Sequence, residues 1–291
     1  MSTVHVPVLP REVLEWLKPE HGQTFVDGTL GGGGHTRLLA EQVGKHGLVI
    51  AFDRDAAAIE AAESSLRGLP ITLVHASFCE LPELLKQLHV PAVSGVLLDL
   101  GLSSDQLADR DRGFSFDADG PLDLRFDTTE GEPAWRLISR LNATDLANLI
   151  FEYGEERHSR RIARRIEEAA KIEPLRTAGQ LAEIVRRAVP RTSDSQRIHP
   201  ATRTFQALRI AVNDELKALE KTLKILPDFL LPGGRAAIIS FHSLEDRLVK
   251  EAFRDDPRWQ VLTRKPLTAS EAEIAANPRA RSAKLRVAQK A

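Results

Sequence analysis

The chain has 291 residues, of which 42% are hydrophobic and 28% are charged, and its formal net charge is −1. These values are typical of a globular protein with one large α/β domain or with a core that carries a second domain, and they exclude a chain that is disordered throughout. No apolar stretch approaches the roughly 20 residues of a membrane helix, and Met1 to Pro10 lacks the form of a signal peptide, so we expect a cytoplasmic protein with no membrane partner.

Predicted strands and helices alternate over the first hundred residues. A short amphipathic helix at Pro10–Leu17 comes first. Strands are predicted at Thr24–Asp27, Leu48–Asp53, Ile71–His75 and Val93–Leu100. Helices follow the glycines at 31–34 and are predicted again at Ala56–Leu66 and Leu81–Leu88. This alternation predicts a parallel sheet covered by helices on both faces.

The alternation stops in a polar loop from Ser103 to Glu132, and a run of helices follows it. These helices are predicted at Ala134–Arg140, Thr144–Tyr153, Arg157–Lys171, Thr177–Ala188 and Thr202–Leu226. A turn at residues 232–234 then precedes a buried strand at Arg235–Phe241 and a helix at Leu244–Phe253. Val261 and Leu262 could form a last strand before a basic tail. The pattern indicates an α/β core interrupted by a helical insertion.

The net charge conceals two basic stretches. From Gly154 to Arg209 there are 13 Arg or Lys residues against 7 Asp or Glu, and from Arg258 to Ala291 there are 8 against 2. Both stretches are candidate phosphate contacts, although most such residues on helices simply form solvated faces. Within the first stretch we predict that Arg160, Arg161, Arg164 and Arg165 bind RNA in a salt-sensitive way.

Ligands of open parallel sheets bind beyond the carboxyl ends of the strands. The first predicted strand ends in Asp27 and runs into four glycines, Gly31 to Gly34, followed by His35. Such a loop lets the backbone approach a ligand at the start of a helix, but it also serves as a tight turn, and dinucleotides bind similar loops.

The next strand ends are also polar or aromatic. Asp53 follows the glycines by about 20 residues, as a ribose ligand does, whereas Asp55 is better placed to cap the following helix. Phe78 could pack against an adenine ring or belong to the core. Asp99 ends the fourth strand and is the best candidate for direct chemistry, with strand capping as the alternative.

Eight segments together resemble the MraW family, the small-subunit rRNA methyltransferase H family. They are His5–Leu9, Asp27–His35, Asp99–Ser104, Arg112–Phe116, Gly120–Asp123, Tyr153–Glu156, His199–Gln206 and Ser240–Arg247. The resemblance implies a Rossmann-like class I methyltransferase core at 1–104 and 206–291, with an inserted all-helical substrate-recognition domain at 105–205. It also implies S-adenosylmethionine-dependent methylation of N4 of a cytidine in the decoding region of 16S ribosomal RNA, in the 30S subunit.

The resemblance further implies positions for the cofactor contacts. They fall on Gly33, Gly34, His35, Asp53, Phe78, Asp99 and Gln106. Methyl transfer from a sulfonium centre requires alignment, with no metal, and no Cys/His cluster in the sequence predicts a metal site. A cytosine amine also needs an acceptor for its N–H as the new bond forms, which an Asp or a backbone carbonyl can provide, and Asp99 is predicted to border the reacting methyl and the amine.

One segment departs from many amino-methylating enzymes, which carry Pro-Pro-aromatic where this chain has Leu100-Gly101-Leu102. A flipped cytosine still needs a stacking partner, for which Phe114, Phe116 and Tyr153 are candidates. His199, Asp123 and Ser240–Arg247 are further candidates for the pocket wall, with a helix start, a loop cap and a strand-to-helix turn as their structural alternatives.

Two other functions fit parts of the sequence. A nicotinamide-dependent dehydrogenase would use the glycine loop and Asp53, although no hydride-transfer constellation is evident. An RNA-binding assembly factor with a vestigial methyl-donor pocket would use only the basic stretches. The sequence leaves open whether the protein is a monomer or a homodimer, which group accepts the proton, and whether free RNA or an assembled subunit is the substrate.

Overall fold

The structure is a computed structural model that describes residues 6–116, 120–190 and 199–291. His5, the first residue of the first motif named above, lies outside these ranges. The chain forms two compact units, a core unit of residues 1–103 and 216–291 and a helical unit of residues 104–215. In the part of the chain that is described, no helix is both long and apolar enough to cross a lipid bilayer.

The core unit contains one seven-stranded sheet. Its strands are β1 (Thr24–Asp27), β2 (Leu48–Asp53), β3 (Ile71–His75), β4 (Val93–Asp99), β5 (Leu230–Ser240), β6 (Trp259–Val261) and β7 (Lys284–Lys290). Their order is β3-β2-β1-β4-β5-β7-β6. The first five strands are parallel, and β7 runs antiparallel to both β5 and β6.

Helices and the two faces of the sheet form the core. The helices of this unit are α1 (Pro10–Leu17), α2 (Gly34–Val43), α3 (Ala56–Ser65), α4 (Leu81–Gln87), α12 (Ser243–Asp255) and α13 (Glu271–Ala276), with α11 (Glu215–Ile225) leading into it. Successive residues of β1 enter different apolar clusters, because side chains alternate along a strand. Phe25 packs with residues of α1 and α2, whereas Val26 packs with α4 and α11.

The predicted basic tail contains β7, an antiparallel strand that the sequence pattern did not predict. Leu285 and Val287 lie fully buried on one face, and Ala288 joins the opposite cluster. Arg286 is also buried, at 7% exposure, because its guanidinium pairs with Asp246 of α12. The interleaved charges concealed a strand that pairs with two neighbours, β5 and β6.

Two other predicted boundaries differ. The turn predicted at residues 232–234 lies inside β5, where the register against β4 shifts between Val93 and Gly95 and forms a bulge. The single helix predicted at Thr202–Leu226 is two helices, because Asp214 has φ 50°. The buried amide of Asn213 accepts a hydrogen bond from Phe126 N and donates one to Leu124 O, both at 2.7 Å, which fixes the chain at this break.

The helical unit contains α5 (Ser104–Ala108), α6 (Ala134–Arg140), α7 (Ala143–Gly154), α8 (Ser159–Ala170), α9 (Ala178–Ala188) and α10 (Thr202–Asn213). It ends at Glu215, whereas the sequence placed its end at 205. The reason is that α10 packs on α7 and α6 and so belongs to this unit as a whole.

Candidate cofactor and substrate site

Three carboxylates lie at the carboxyl ends of three adjacent strands. Asp27, Asp53 and Asp99 are the last residues of β1, β2 and β4, and β1 lies between the other two strands. Sequence order reverses across the sheet between β1 and β4, and crevices at such a point are where open α/β sheets bind ligands. The strand-end reasoning therefore placed these residues at one edge of the sheet, as the structure has them.

Asp27 is fully buried and fixes the start of the glycine loop. One carboxylate oxygen accepts a hydrogen bond from Thr29 N at 3.1 Å, and the other accepts from the hydroxyl of Thr36 on α2 at 2.6 Å. Burial raises the pKa of Asp27, and the hydrogen bonds from Thr36 and Thr29 oppose that effect. This carboxylate therefore brings buried negative charge to the strand end.

The glycines let the loop turn tightly onto α2. Gly33 has φ 75° and precedes the first residue of α2, a conformation that strains other residues. A Cβ atom on Gly34 would lie 3.0 Å from the Pro7 ring, so this side of the loop is covered. Gly31 N donates to Asp53 Oδ2 at 2.8 Å, which joins the glycine loop to the end of β2.

Asp53 links two loops, and Asp55 caps α3. Asp55 N donates to the second oxygen of Asp53 at 2.9 Å, while Asp55 Oδ1 accepts from Ala57 N at 3.1 Å. The predicted cap by Asp55 is thus confirmed. Burial raises the pKa of Asp53 to about 6, and the neighbouring charges of Asp55 and Asp27 act in the same direction.

Asp99 is the most perturbed of the three acids. Its backbone N donates to the hydroxyl of Thr29 at 2.6 Å, and its Oδ2 lies 3.7 Å from Nε2 of the buried His35. Its Oδ1 is buried and has no hydrogen-bond partner among the residues that the structure describes. Burial raises the pKa of Asp99 to about 7, with Asp27 and Glu245 adding to the shift. A buried acceptor of this kind costs about 1–3 kcal/mol unless a ligand satisfies it.

The end of β5 contributes to the same edge through a buried capping box. Glu245 Oε2 accepts a hydrogen bond from Phe241 N at 2.8 Å, and Glu245 Oε1 lies 3.1 Å from His242 Nε2. The ring of Phe241 covers Gly101, where a Cβ atom would lie 3.4 Å away. These contacts support the strand-to-helix turn as the structural role of this segment, and contact with a substrate stays a prediction.

One residue near Asp99 had no signal in the sequence. The positive charge of Arg279, in the short helical turn Pro278–Ser282, acts against the rise in the pKa of Asp99. Arg279 comes from the segment that the sequence presented only as a basic tail. No motif or strand end marked this position, because only the folded chain brings it towards the end of β4.

Two predicted cofactor residues need separate description. Phe78 is partly buried against the apolar cluster that contains Val26, and it also lies beside Gly28, where a Cβ atom would approach Phe78 Cβ to 3.0 Å. Core packing, which the sequence left as an alternative, is therefore part of its role. Gln106 is buried on α5 of the helical unit.

The aromatic candidates of the helical unit have partners within that unit. Phe116 stacks on His199 with ring centroids 4.2 Å apart, and the His199 ring also accepts a hydrogen bond from Ala201 N at 3.2 Å. Phe114 stacks on Phe126 at 5.8 Å. The backbone carbonyl of Tyr153 accepts from the side chain of Gln206 at 3.0 Å.

Asp123 forms a two-pronged ion pair with Arg125, in which both nitrogen–oxygen distances are 2.8 Å. It also accepts a hydrogen bond from Arg125 N at 3.1 Å. These contacts match the loop-cap alternative for Asp123.

The arginines of α8 divide into two kinds. Ile162 and Ile166 are buried, which places Arg160, Arg161, Arg164 and Arg165 on the exposed side of the helix. Arg165 pairs with Glu168 at 2.9 Å. Arg160, Arg161 and Arg164 have no carboxylate partner within the described ranges. The predicted RNA-binding set therefore contains three uncompensated charges and one compensated charge.

The strand ends of the core unit can hold a small cationic ligand. Asp27 is buried and Asp53 and Asp99 are partly buried, so their carboxylates repel one another, and a cation bound among them would favour their ionised forms. The pyrophosphate of a dinucleotide is an anion, and these carboxylates would repel it. The strand order with an antiparallel seventh strand, the glycine loop and these acids define a Rossmann-like methyltransferase of the class that uses S-adenosylmethionine.

Comparison with known proteins gives the family. The MraW methylase family model matches residues 2–291, and the chain belongs to this family. A protein of Rhodopirellula baltica is 52% identical over 300 residues, covering 99% of this chain and 92% of that protein. Proteins of Syntrophotalea carbinolica and Synechococcus elongatus are each 51% identical, covering 97% and 98% of this chain and 96% and 94% of their own length. All three are named ribosomal RNA small subunit methyltransferase H.

Proposed function

We propose that this protein methylates N4 of a cytidine in the decoding region of 16S ribosomal RNA, with the 30S subunit as its substrate. The observation that carries the proposal is the buried, unpartnered Oδ1 of Asp99 at the end of β4. The relatives named as methyltransferases of small-subunit ribosomal RNA support the class of substrate. The resemblance to the family supports the particular base and atom.

The proposed cofactor contacts of the core unit come from four strand ends, and Asp99 at the end of β4 is one of these contacts. Gly33, Gly34 and His35 form the start of α2, where backbone N–H groups can receive the amino-acid part of S-adenosylmethionine. Asp53 accepts two backbone hydrogen bonds, and a carboxylate has further lone pairs for the hydroxyls of a ribose. Phe78 offers an apolar side beside Gly28 for the adenine.

Gln106 completes the set of proposed cofactor contacts. This assignment rests on the family resemblance, and Gln106 lies buried on α5.

S-adenosylmethionine, when bound, supplies the methyl group from its sulfonium centre. Asp99 then holds the cytosine amine through Oδ1 and turns the nitrogen towards the methyl carbon. As the bond from N4 to carbon forms and the bond from sulfur to carbon breaks, Asp99 accepts the proton that N4 releases. One proton thus moves from N4 to a carboxylate, and the sulfonium charge is lost.

The surroundings of Asp99 suit this exchange. A general base works best when its pKa lies near the working pH, and burial raises the pKa of Asp99 to about 7. The charge of Arg279 favours the ionised carboxylate that must accept the proton, and His35 Nε2 lies 3.7 Å from Asp99 Oδ2. Thr29 fixes the Asp99 backbone at 2.6 Å, which sets the direction of the side chain.

The test is methyl transfer to 30S subunits that lack the modification, using labelled S-adenosylmethionine, followed by identification of the modified nucleoside by mass spectrometry. We expect label in N4-methylcytidine from the decoding region. Label at another atom or base would contradict the specificity. If the protein binds 30S subunits but transfers no label, it is an assembly factor with a vestigial pocket.

A further inference from the structure

Two arginines of the helical unit lie against one tryptophan. The guanidinium carbon of Arg176 lies 3.6 Å from the centroid of the Trp135 ring, and that of Arg136 lies 5.1 Å from it. Both arginines are exposed, and Trp135 is partly buried. Cation–π contacts of this kind contribute about 0.5–1 kcal/mol each at exposed sites, so the ring restricts where the two charges lie.

The backbone around this stack is cross-linked by hydrogen bonds from three separate segments. Leu122 N donates to Arg176 O at 2.8 Å, and Trp135 N donates to Leu122 O at 3.0 Å. Ala178 N donates to Gly120 O at 2.9 Å, beside an antiparallel bridge between Pro121 and Thr177. The backbone at Trp135 and the backbone at Arg176 are therefore both hydrogen-bonded to Leu122.

The stack differs from the ion-paired arginines of the same unit. Arg125, Arg140 and Arg209 each pair with a carboxylate, at 2.8, 2.5 and 2.7 Å. Arg186 and Arg187 share Glu183. In the described part of the chain, no carboxylate oxygen lies within 4.0 Å of a guanidinium nitrogen of Arg136 or Arg176. Two like charges near one ring repel each other, and an anion bound to them would reduce that repulsion.

The chemistry of the arginines indicates which anion fits. A guanidinium presents several N–H donors in one plane and matches the oxygens of a phosphate. An aromatic ring that holds the guanidinium leaves those donors directed outwards, whereas a carboxylate partner would occupy them. The stack is thus a preorganised pair of phosphate donors.

We propose that Arg136, Trp135 and Arg176 form a phosphodiester-binding site for the backbone of the substrate RNA. The site is separate in sequence from the arginines of α8. Its two charges lie against a tryptophan ring, whereas those of α8 lie on the exposed side of a helix. This inference rests on the proposed function for the identity of the RNA, but the binding itself is measurable without methyl transfer. It predicts that the stack contributes to the affinity for the 30S subunit and leaves cofactor binding unaffected.

The experiment compares two double charge reversals of equal size in the full-length protein. Arg136→Glu/Arg176→Glu removes the pair that has no carboxylate partner in the described residues, and Arg186→Glu/Arg187→Glu removes a pair that shares the carboxylate of Glu183. The affinity for undermodified 30S subunits is measured across a salt series, with the affinity for S-adenosylhomocysteine as a control. For the first variant we expect a Kd on the order of tenfold higher and a salt slope smaller by roughly 1.5–2, since each phosphate contact contributes about 0.7–0.9 to the slope.

A third variant tests the role of the ring. Trp135→Leu keeps both charges, so we expect a smaller loss of affinity and an almost unchanged salt slope. An unchanged Kd for Arg136→Glu/Arg176→Glu would overturn the proposal, as would an equal loss in the Arg186→Glu/Arg187→Glu control. Binding of inorganic phosphate that Arg136→Glu/Arg176→Glu abolishes, with the affinity for 30S subunits unchanged, would overturn it too, because the site would then take free phosphate and not RNA. A wild-type protein that binds 30S but fails to methylate it would contradict the proposed function and leave this inference in place.

Discussion

The two units of the molecule hold charge in opposite ways. In the core unit, Asp27, Asp53 and Asp99 bring buried or partly buried negative charge to one edge of the sheet, and burial raises the pKa of each. In the helical unit, Arg160, Arg161 and Arg164 expose positive charge without carboxylate partners in the described residues. Both arrangements cost stability in the absence of a ligand.

The difference indicates two ligands of opposite charge and different size. Desolvated acids at strand ends suit a small cation that enters a crevice, since the attraction between a carboxylate and a cation is stronger in a low dielectric. Exposed arginines suit an extended polyanion, whose many weak contacts add up and depend on salt. A methyl donor with a sulfonium centre and an RNA strand are such a pair.

The largest expected effect comes from the acid that is proposed to touch the reacting amine. Asp99→Asn keeps the size of the side chain but cannot accept the proton, so we expect kcat to fall by about 10²–10⁴. Binding of S-adenosylhomocysteine, measured by calorimetry, is expected to change much less. The matched control is Asp55→Asn, because asparagine caps a helix as well as aspartate does. Near-normal turnover of Asp99→Asn would remove Asp99 from the mechanism.

The second effect is expected on the exposed face of α8. Arg160→Glu/Arg161→Glu/Arg164→Glu should raise the Kd for undermodified 30S subunits at least tenfold and reduce the salt slope by roughly 2–3. Arg165→Glu, compared with Arg164→Glu alone, should have the smaller effect, because Glu168 already pairs with Arg165. Equal losses in these two single variants would mean that compensation by carboxylates does not select the RNA contacts.

A third prediction concerns the pH dependence of cofactor affinity. The groups that act on Asp99 are Asp27, Glu245, Arg279 and His35, and burial raises its pKa to about 7. Below this pH the carboxylate of the free protein is protonated, and a cationic ligand must displace the proton. The affinity for S-adenosylmethionine should therefore rise with pH between 6 and 8, by up to about tenfold.

Titration calorimetry in buffers of different ionisation enthalpy would count the released proton. Asp99→Asn should flatten this pH profile, and S-adenosylhomocysteine, which lacks the sulfonium charge, should show a weaker dependence. The raised pKa also makes the stability of the free protein change with pH in the direction opposite to the cofactor affinity. Without a ligand, the contribution of Asp99 to the free energy of unfolding should fall as pH rises from about 4 to about 7. An affinity that is independent of pH would contradict the electrostatic description of the core unit.

Local sequence signals predicted much of the core unit. The bounds of α1, β1, β2 and β3 agree with the predicted segments, because glycines, caps and apolar runs mark each end. Asp53 and Asp99 could be selected as candidates since a strand-ending carboxylate in a parallel sheet has a definite place. The contacts that fix them, from Gly31 N and the Thr29 hydroxyl, follow from that placement.

Contacts between distant segments could not be predicted in this way. Nothing local marks Arg279 as a neighbour of Asp99, or Arg176 as the partner of Trp135. The strand β7 escaped detection because Arg286 breaks its apolar pattern, and only Asp246 on another helix explains why a charge can lie there. Such charges depend on pairing across the fold, which a single sequence does not display.

The smallest effect on function is expected at the pair of Arg286 and Asp246. This prediction tests whether cations of the core unit contact RNA as those of the helical unit are proposed to do. Burial acts to raise the pKa of Asp246, but Arg286 and Lys284 outweigh it and hold the pKa below its ordinary value of 3.8. The pair therefore stabilises the protein above pH 4 and loses its contribution as pH falls further.

Arg286→Met should lower the free energy of unfolding by about 1–2 kcal/mol, since one charged hydrogen-bonded partner is lost and solvent screens the remainder. Urea unfolding at pH 7 and pH 4 would measure this loss, with Arg281→Met as the control because Arg281 is an exposed cation of the same segment. The salt slope for 30S binding should stay at the wild-type value in Arg286→Met, and a slope that falls by about 1 would place the C-terminal cations among the RNA contacts after all.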